Sequence, residues 1–143
     1  MKENEQEKSK NPFEDMPVIF SYTRAQAIED GVLVDLTPWA QETGFKVPVA
    51  CTSTVWNGYI VPPESMKSWG QSERGRAHDL LWMLFVASRS RKDKAPPEGP
   101  DLLYYEVLFQ QEPEKTTTVQ FKAHCGPGDN GEPVLTIMRP DED

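Results

Sequence analysis

The feature that most constrains this chain is the run Leu80-Leu81-Trp82-Met83-Leu84-Phe85-Val86-Ala87, apolar without interruption. It is far short of the roughly 20 residues that cross a bilayer, so it has to bury itself against the rest of the chain. Leu80, Leu81, Leu84 and Ala87 recur at helical spacing, and the pattern extends to a helix over Ser72–Arg91. Apolar side chains nearly all round predict a helix buried on most sides, the central helix of the core. Arg89, Arg91, Lys92 and Lys94 gather at its end, where cations complement the helix dipole. Ala95-Pro96-Pro97-Glu98-Gly99-Pro100 then forbids continuation.

Beyond that loop the period changes to two. Leu103, Tyr105, Val107 and Phe109 alternate along one strand, and Thr117, Val119, Phe121, Ala123 and Cys125 along the next. Val134–Met138 makes a third. The connections are Gln111–Lys115 and the glycine-rich Gly126–Gly131. The expected unit is a three-stranded or larger antiparallel meander with one face on the core.

Upstream, Thr23 and Gln26 form a capping-box pattern and Gly31 can take a left-handed exit, so a short helix is expected between them. Val32-Leu33-Val34 suggests a short strand. Thr37-Pro38 opens a second helix that stops before Gly44, with Thr37 as its cap. Thr52–Ile60 reads as a third, ended by Pro62-Pro63. Helices first and strands last give an α+β fold with the Ser72–Arg91 helix across the sheet.

Residues 1–15 are polar, carry both charge signs and offer little to bury, so they read as a disordered leader ahead of one domain at 16–143. The charged start lacks the apolar stretch of a secretory signal, which predicts a cytoplasmic protein. In that compartment Cys51 and Cys125 are expected as reduced, buried small hydrophobes. A net charge of -8 argues against broad affinity for nucleic acid or anionic membrane, and suits a basic protein surface.

Tyr22–Leu36 (YTRAQAIEDGVLVDL), Gly75–Ala87 (GRAHDLLWMLFVA) and Gly126–Pro140 (GPGDNGEPVLTIMRP) together resemble a family of uncharacterised bacterial proteins, a domain of unknown function. The resemblance covers most of the chain after the leader. It brings no established activity, and implies a setting among accessory genes of plasmids, phages and other mobile elements.

The residues that could carry chemistry each have a plainer reading. Two histidines and two cysteines match no zinc spacing, and strand phase points His124 and Cys125 to opposite faces, so neither metal nor cofactor is expected. No serine sits in a Gly-x-Ser-x-Gly turn. Arg76, His78 and Asp79 beside Trp82 form a polar cluster, and His78 and Trp82 share a helix face. The plainer reading is the solvated first turns of a helix, with Asp79 near the positive end. Gly126–Gly131 fits no phosphate-loop pattern, has too few carboxylates for calcium, and its Asp129-Asn130-Gly131 supplies a β-turn. Arg74, Arg76 and the cations at Arg89–Lys94 are a weak nucleic-acid footprint beside helix-end capping.

The leading expectation is a non-enzymatic accessory protein that binds an unidentified protein partner, with an anti-defence or antirestriction role as one version. Its candidate partner-binding residues are Glu29, Asp30, Asp129 and Glu132, carboxylates with no evident local use, and Trp69, a tryptophan between two loop-forming segments. The alternative is a small enzyme or ligand-binding protein acting on a nucleotide in a helix–sheet pocket lined by Arg76, His78, Asp79 and Trp82.

Overall fold

The computed structural model describes residues 22–91 and 101–142; the proposed leader at 1–15 lies outside them. Helix α1 (Arg24–Glu29) starts at the full capping box: the Thr23 hydroxyl accepts from the Gln26 N–H and the Gln26 side chain accepts from the Thr23 N–H. Gly31, at φ 82°, turns the chain into strand β1 (Leu33–Asp35). Helix α2 (Thr37–Thr43) ends at Gly44 as expected, but its capping differs. Leu36, not Thr37, takes the cap position and no side chain caps it; Thr37 is the first helical residue, and its N–H donates to the Asp35 carboxylate at 3.0 Å.

Strand β2 (Val49–Thr52) is an element the sequence reading lacked. Thr52 caps the short helix α3 (Ser53–Val55), which widens at once into a π-helical turn over Trp56–Ile60. A 3₁₀ turn, Glu64–Trp69, leads to helix α4 (Glu73–Arg91). The chain closes with β3 (Leu102–Glu112), β4 (Lys115–Pro127) and β5 (Pro133–Met138).

The fold is α+β. The expected meander is there, β3 and β5 each pairing antiparallel with β4, inside a larger sheet of order β1-β2-β5-β4-β3. The extension comes from the parallel pairing of β2 with β5, which sets Val49, Ala50 and Cys51 opposite Leu135, Thr136 and Ile137. The β3–β4 connection is tighter than expected: Pro113-Glu114, with Glu114 at φ 60° and a register shift between Gln110 and Glu112. A proline-led turn does not match strand twist as primed turns do, and the irregular register accommodates it.

The core lies between one face of the sheet and one face of α4. Tyr105, Val107 and Phe109 of β3, Val119, Phe121 and Ala123 of β4, and Ile137 of β5 meet Ala77, Leu80, Leu81 and Leu84. The Tyr105 hydroxyl donates to the Leu80 carbonyl at 3.1 Å, fixing α4 to the strand. Two expectations need correcting. Helix α4 is not buried on most sides: Trp82, Met83 and Val86 are exposed, because no described element covers that side of it. The two cysteines also differ. Cys51 is buried and free, while Cys125 is free and exposed, because the core ends at Ala123. Burial pushes the Cys51 thiol up to about 12, with nearby Glu142 adding to the effect.

Candidate functional site

The polar cluster of α4 does not form one site. Arg76 is 1% exposed and points inward, away from the exposed His78 and Asp79. Its guanidinium donates to the Tyr59 carbonyl at 2.6 Å, to Gln111 Oε1 at 2.8 Å, to Gln71 Oε1 at 3.2 Å and to the Gln110 carbonyl. It also lies 5.2 Å above the Phe109 ring centroid. None of these acceptors is a carboxylate, and burial lowers the Arg76 pKa while Asp79 opposes that shift. Arg76 is therefore a latch: it joins the π-helical turn, the segment before α4 and the end of β3 by donating to an oxygen of each.

His78 and Trp82 do share a face. Their rings stack with centroids 6.5 Å apart and an interplanar angle of 4°, and Trp82 stacks in turn on Phe85 at 5.8 Å. The cleft they border lies between two helices, not between helix and sheet. Trp39, Glu42 and Thr43 of α2 face Arg74, His78 and Trp82 of α4 across about 300 Å³. Arg74 sits over Trp39 and is paired with Glu42 at 2.8 Å, so that cation is already answered within the cleft.

Asp79 turns the other way. With Trp82 and Met83 it lines a cleft of about 400 Å³ whose opposite wall is Glu106, Val107 and Leu108 of β3. A neighbouring hollow of about 470 Å³ continues along the strand, between Met83, Val86 and Ala87 on α4 and Tyr104 to Glu106 on β3. Trp82 is 45% exposed and Leu108 63%, so large apolar side chains stand free on both walls. The sequence reading singled out Trp82 and Asp79 here and missed Met83, Val86, Tyr104 and Leu108. Two signals could have found them. Trp82, Met83 and Val86 fall outside the seam of Ala77, Leu80, Leu81 and Leu84, and Tyr104 and Leu108 stand in the polar phase of β3.

The acidic candidates lie elsewhere, and most have structural partners. Asp129, in the loop before β5, accepts the Arg24 N–H at 2.8 Å and the Ala25 N–H at 3.1 Å, satisfying the first turn of α1 from far along the chain. Glu132 accepts the Asn130 N–H at 2.9 Å within the same loop. Both carboxylates also favour the charged form of Arg24, whose pKa burial lowers and which donates to Thr136 Oγ1 and the Leu135 carbonyl. Asp30 accepts from the Tyr22 hydroxyl at 2.7 Å, which raises the Tyr22 pKa. Among the described residues, the premise that these charges lack a local use holds for Glu29 alone of the four, which is exposed at the end of α1. Trp69 is 51% exposed at the end of the 3₁₀ turn, before Gly70.

Among the described residues no three His, Cys, Asp or Glu side chains gather as metal ligands, and no helix is long and apolar enough to cross a membrane. The model of a family of unknown function, DUF6573, matches residues 9–143, and the chain belongs to that family. No curated protein and no solved structure matches it.

Proposed function

We propose that this member of the family works without catalysis, by binding another protein, in the mobile-element setting that the sequence resemblance implies. One observation carries the reading: Trp82, Met83, Val86 and Leu108 remain exposed together where α4 meets β3, in a chain whose net charge of -8 otherwise favours a solvated surface. A contiguous apolar patch rimmed by charge is the usual mark of a protein-binding surface. An anti-defence role is one form of this, in which an acidic protein occupies a surface that its partner reserves for nucleic acid.

The test is cross-linked capture from the native host, read by mass spectrometry. The parent captures a discrete partner, and the variant Trp82→Ser/Met83→Ser/Val86→Ser loses it while keeping its melting temperature. Equal capture by the two would sink the reading.

A second reading rests on the cleft between α2 and α4. Trp39, His78 and Trp82 line it with aromatic rings, and a nucleotide phosphate would have to displace Glu42 from Arg74 to reach its cation. Saturable quenching of tryptophan fluorescence by a nucleotide, lost in Trp39→Leu, would favour it. A flat titration would remove it.

A further inference from the structure

Strand β3 is the last strand of the sheet among the described residues, so one of its edges has no partner strand there. Two hydrogen bonds fix which residues face that edge. The Asp101 carbonyl accepts the Cys125 N–H and so points toward β4, whereas the Gln110 carbonyl accepts from Arg76 and so points outward. Backbone groups of successive residues alternate in direction along a strand in an antiparallel ladder. Tyr104, Glu106 and Leu108, in phase with Gln110, therefore turn both N–H and C=O away from the sheet. They span about 14 Å at the usual strand rise.

Among the described residues this edge is guarded by neither a proline nor a lysine: of the strand's eleven residues, Leu102–Glu112, none is either. It runs instead along a trough whose far wall is α4: Asp79, Trp82 and Met83 at one end, Met83, Val86 and Ala87 at the other. The charged side chains lining the trough are Asp79 and Glu106, both acidic and both exposed.

We infer that the trough receives an extended peptide of the partner, with apolar and cationic side chains in alternation, which pairs with Tyr104–Leu108 as a sixth strand. The inference rests on the protein-binding reading and names its mode. Strand addition supplies affinity through main-chain hydrogen bonds and specificity through alternate side chains. One row of the peptide packs on Trp82, Met83 and Val86. The other crosses the outer face beside Leu108, where a cation meets Glu106. A second copy of this chain fits less well, since antiparallel self-pairing would bring another Glu106 and a second charge of -8 to the same edge.

The probe is a fluorescein-labelled peptide of about seven alternating valines and lysines, long enough to pass all three outward residues. Full-length protein is titrated by anisotropy, and amide hydrogen exchange is read over residues 104–108 with and without peptide. Saturable binding is expected, with slower exchange at Tyr104, Glu106 and Leu108. Methylating one peptide amide on the pairing edge should weaken binding about five- to tenfold, the worth of one hydrogen bond. Replacing the lysines by glutamates should abolish it. Glu106→Lys and Asp79→Lys, both at exposed sites, should each weaken it about three- to fivefold, and more at low salt.

The inference falls if the peptide does not bind, if methylation has no effect, or if the glutamate peptide binds as well. It also falls if the edge amides are already protected in the free protein, whether by dimerisation, seen by sedimentation, or by the chain's own residues before Tyr22. Loss of the captured partner in the Trp82/Met83/Val86 variant, with no peptide binding, would leave the protein-binding reading standing and remove strand addition alone.

Discussion

Helix α4 inverts the usual placement of side chains between its two halves. In the first half an arginine is buried among carbonyl oxygens; in the second, a tryptophan, a methionine and a valine face outward. Arg76 and Trp82 lie fewer than two turns apart. The difference is one of partners, not of hydrophobicity. At Arg76 three elements converge with acceptors, so hydrogen bonds offset the cost of desolvating its charge. At Trp82 the facing elements, α2 and β3, stand across open clefts, so apolar surface stays in water. Burial on this helix is set by what the neighbouring chain offers.

That comparison can be attacked at four points. The largest effect is expected at Arg76. Arg76→Leu keeps an apolar stem but leaves the Tyr59 and Gln110 carbonyls without their donor, at about 1–3 kcal/mol each, or about 4 kcal/mol together. Denaturant titration with an unchanged slope would measure it, and a loss below about 1 kcal/mol would show that the latch is dispensable. Leu84→Ala, in the seam that both halves share, should cost about 3 kcal/mol, within the range for truncating a buried leucine.

Gly44→Ala tests how the outer half is held. Gly44 has φ 126°, and an added Cβ would stand 3.1 Å from the Phe85 ring, which packs edge-on against Phe45. Backbone strain and crowding together should cost about 1–2 kcal/mol, read as a lower melting temperature. The smallest effect is expected at Met83. Met83→Ser should stay within about 0.5 kcal/mol of the parent, as for a surface site. A loss above about 1 kcal/mol would mean that the row is covered in solution, and the contrast between the halves would disappear.

Much of the fold is legible in the residues because its rules are local. The Thr23–Gln26 capping box, the stop at Gly44 and the alternation of Leu103 to Phe109 each depend on neighbours within a turn or a pleat. Strand β2 was not legible: Val49-Ala50-Cys51-Thr52 is four residues, buried at the first three, with no alternation to announce it. Its partner lies at the other end of the chain, and no local pattern encodes that pairing. The candidate site was half legible for the same reason. Trp82 and Asp79 belong visibly to α4, but the wall they face is supplied by Glu106 and Leu108 of β3. Arg76 shows the converse. Its residue type and helix position argue for solvent, and only the convergence of Tyr59, Gln71 and Gln110 on it reverses that.

The parallel pairing of β2 with β5 has a kinetic consequence. Strand β5, the last of the described strands in chain order, occupies the middle of the sheet, between β2 and β4. Without it the described strands form two separate antiparallel pairs, β1 with β2 and β3 with β4. Closing so long a loop makes the native topology slow to nucleate relative to local helices and turns. Val49, Ala50 and Cys51, fully buried in the finished sheet, lack their β5 neighbours until that strand pairs with them. A premature stop that removed Pro133–Met138 would thus do more than shorten the protein, because it would leave those two pairs with nothing to join them.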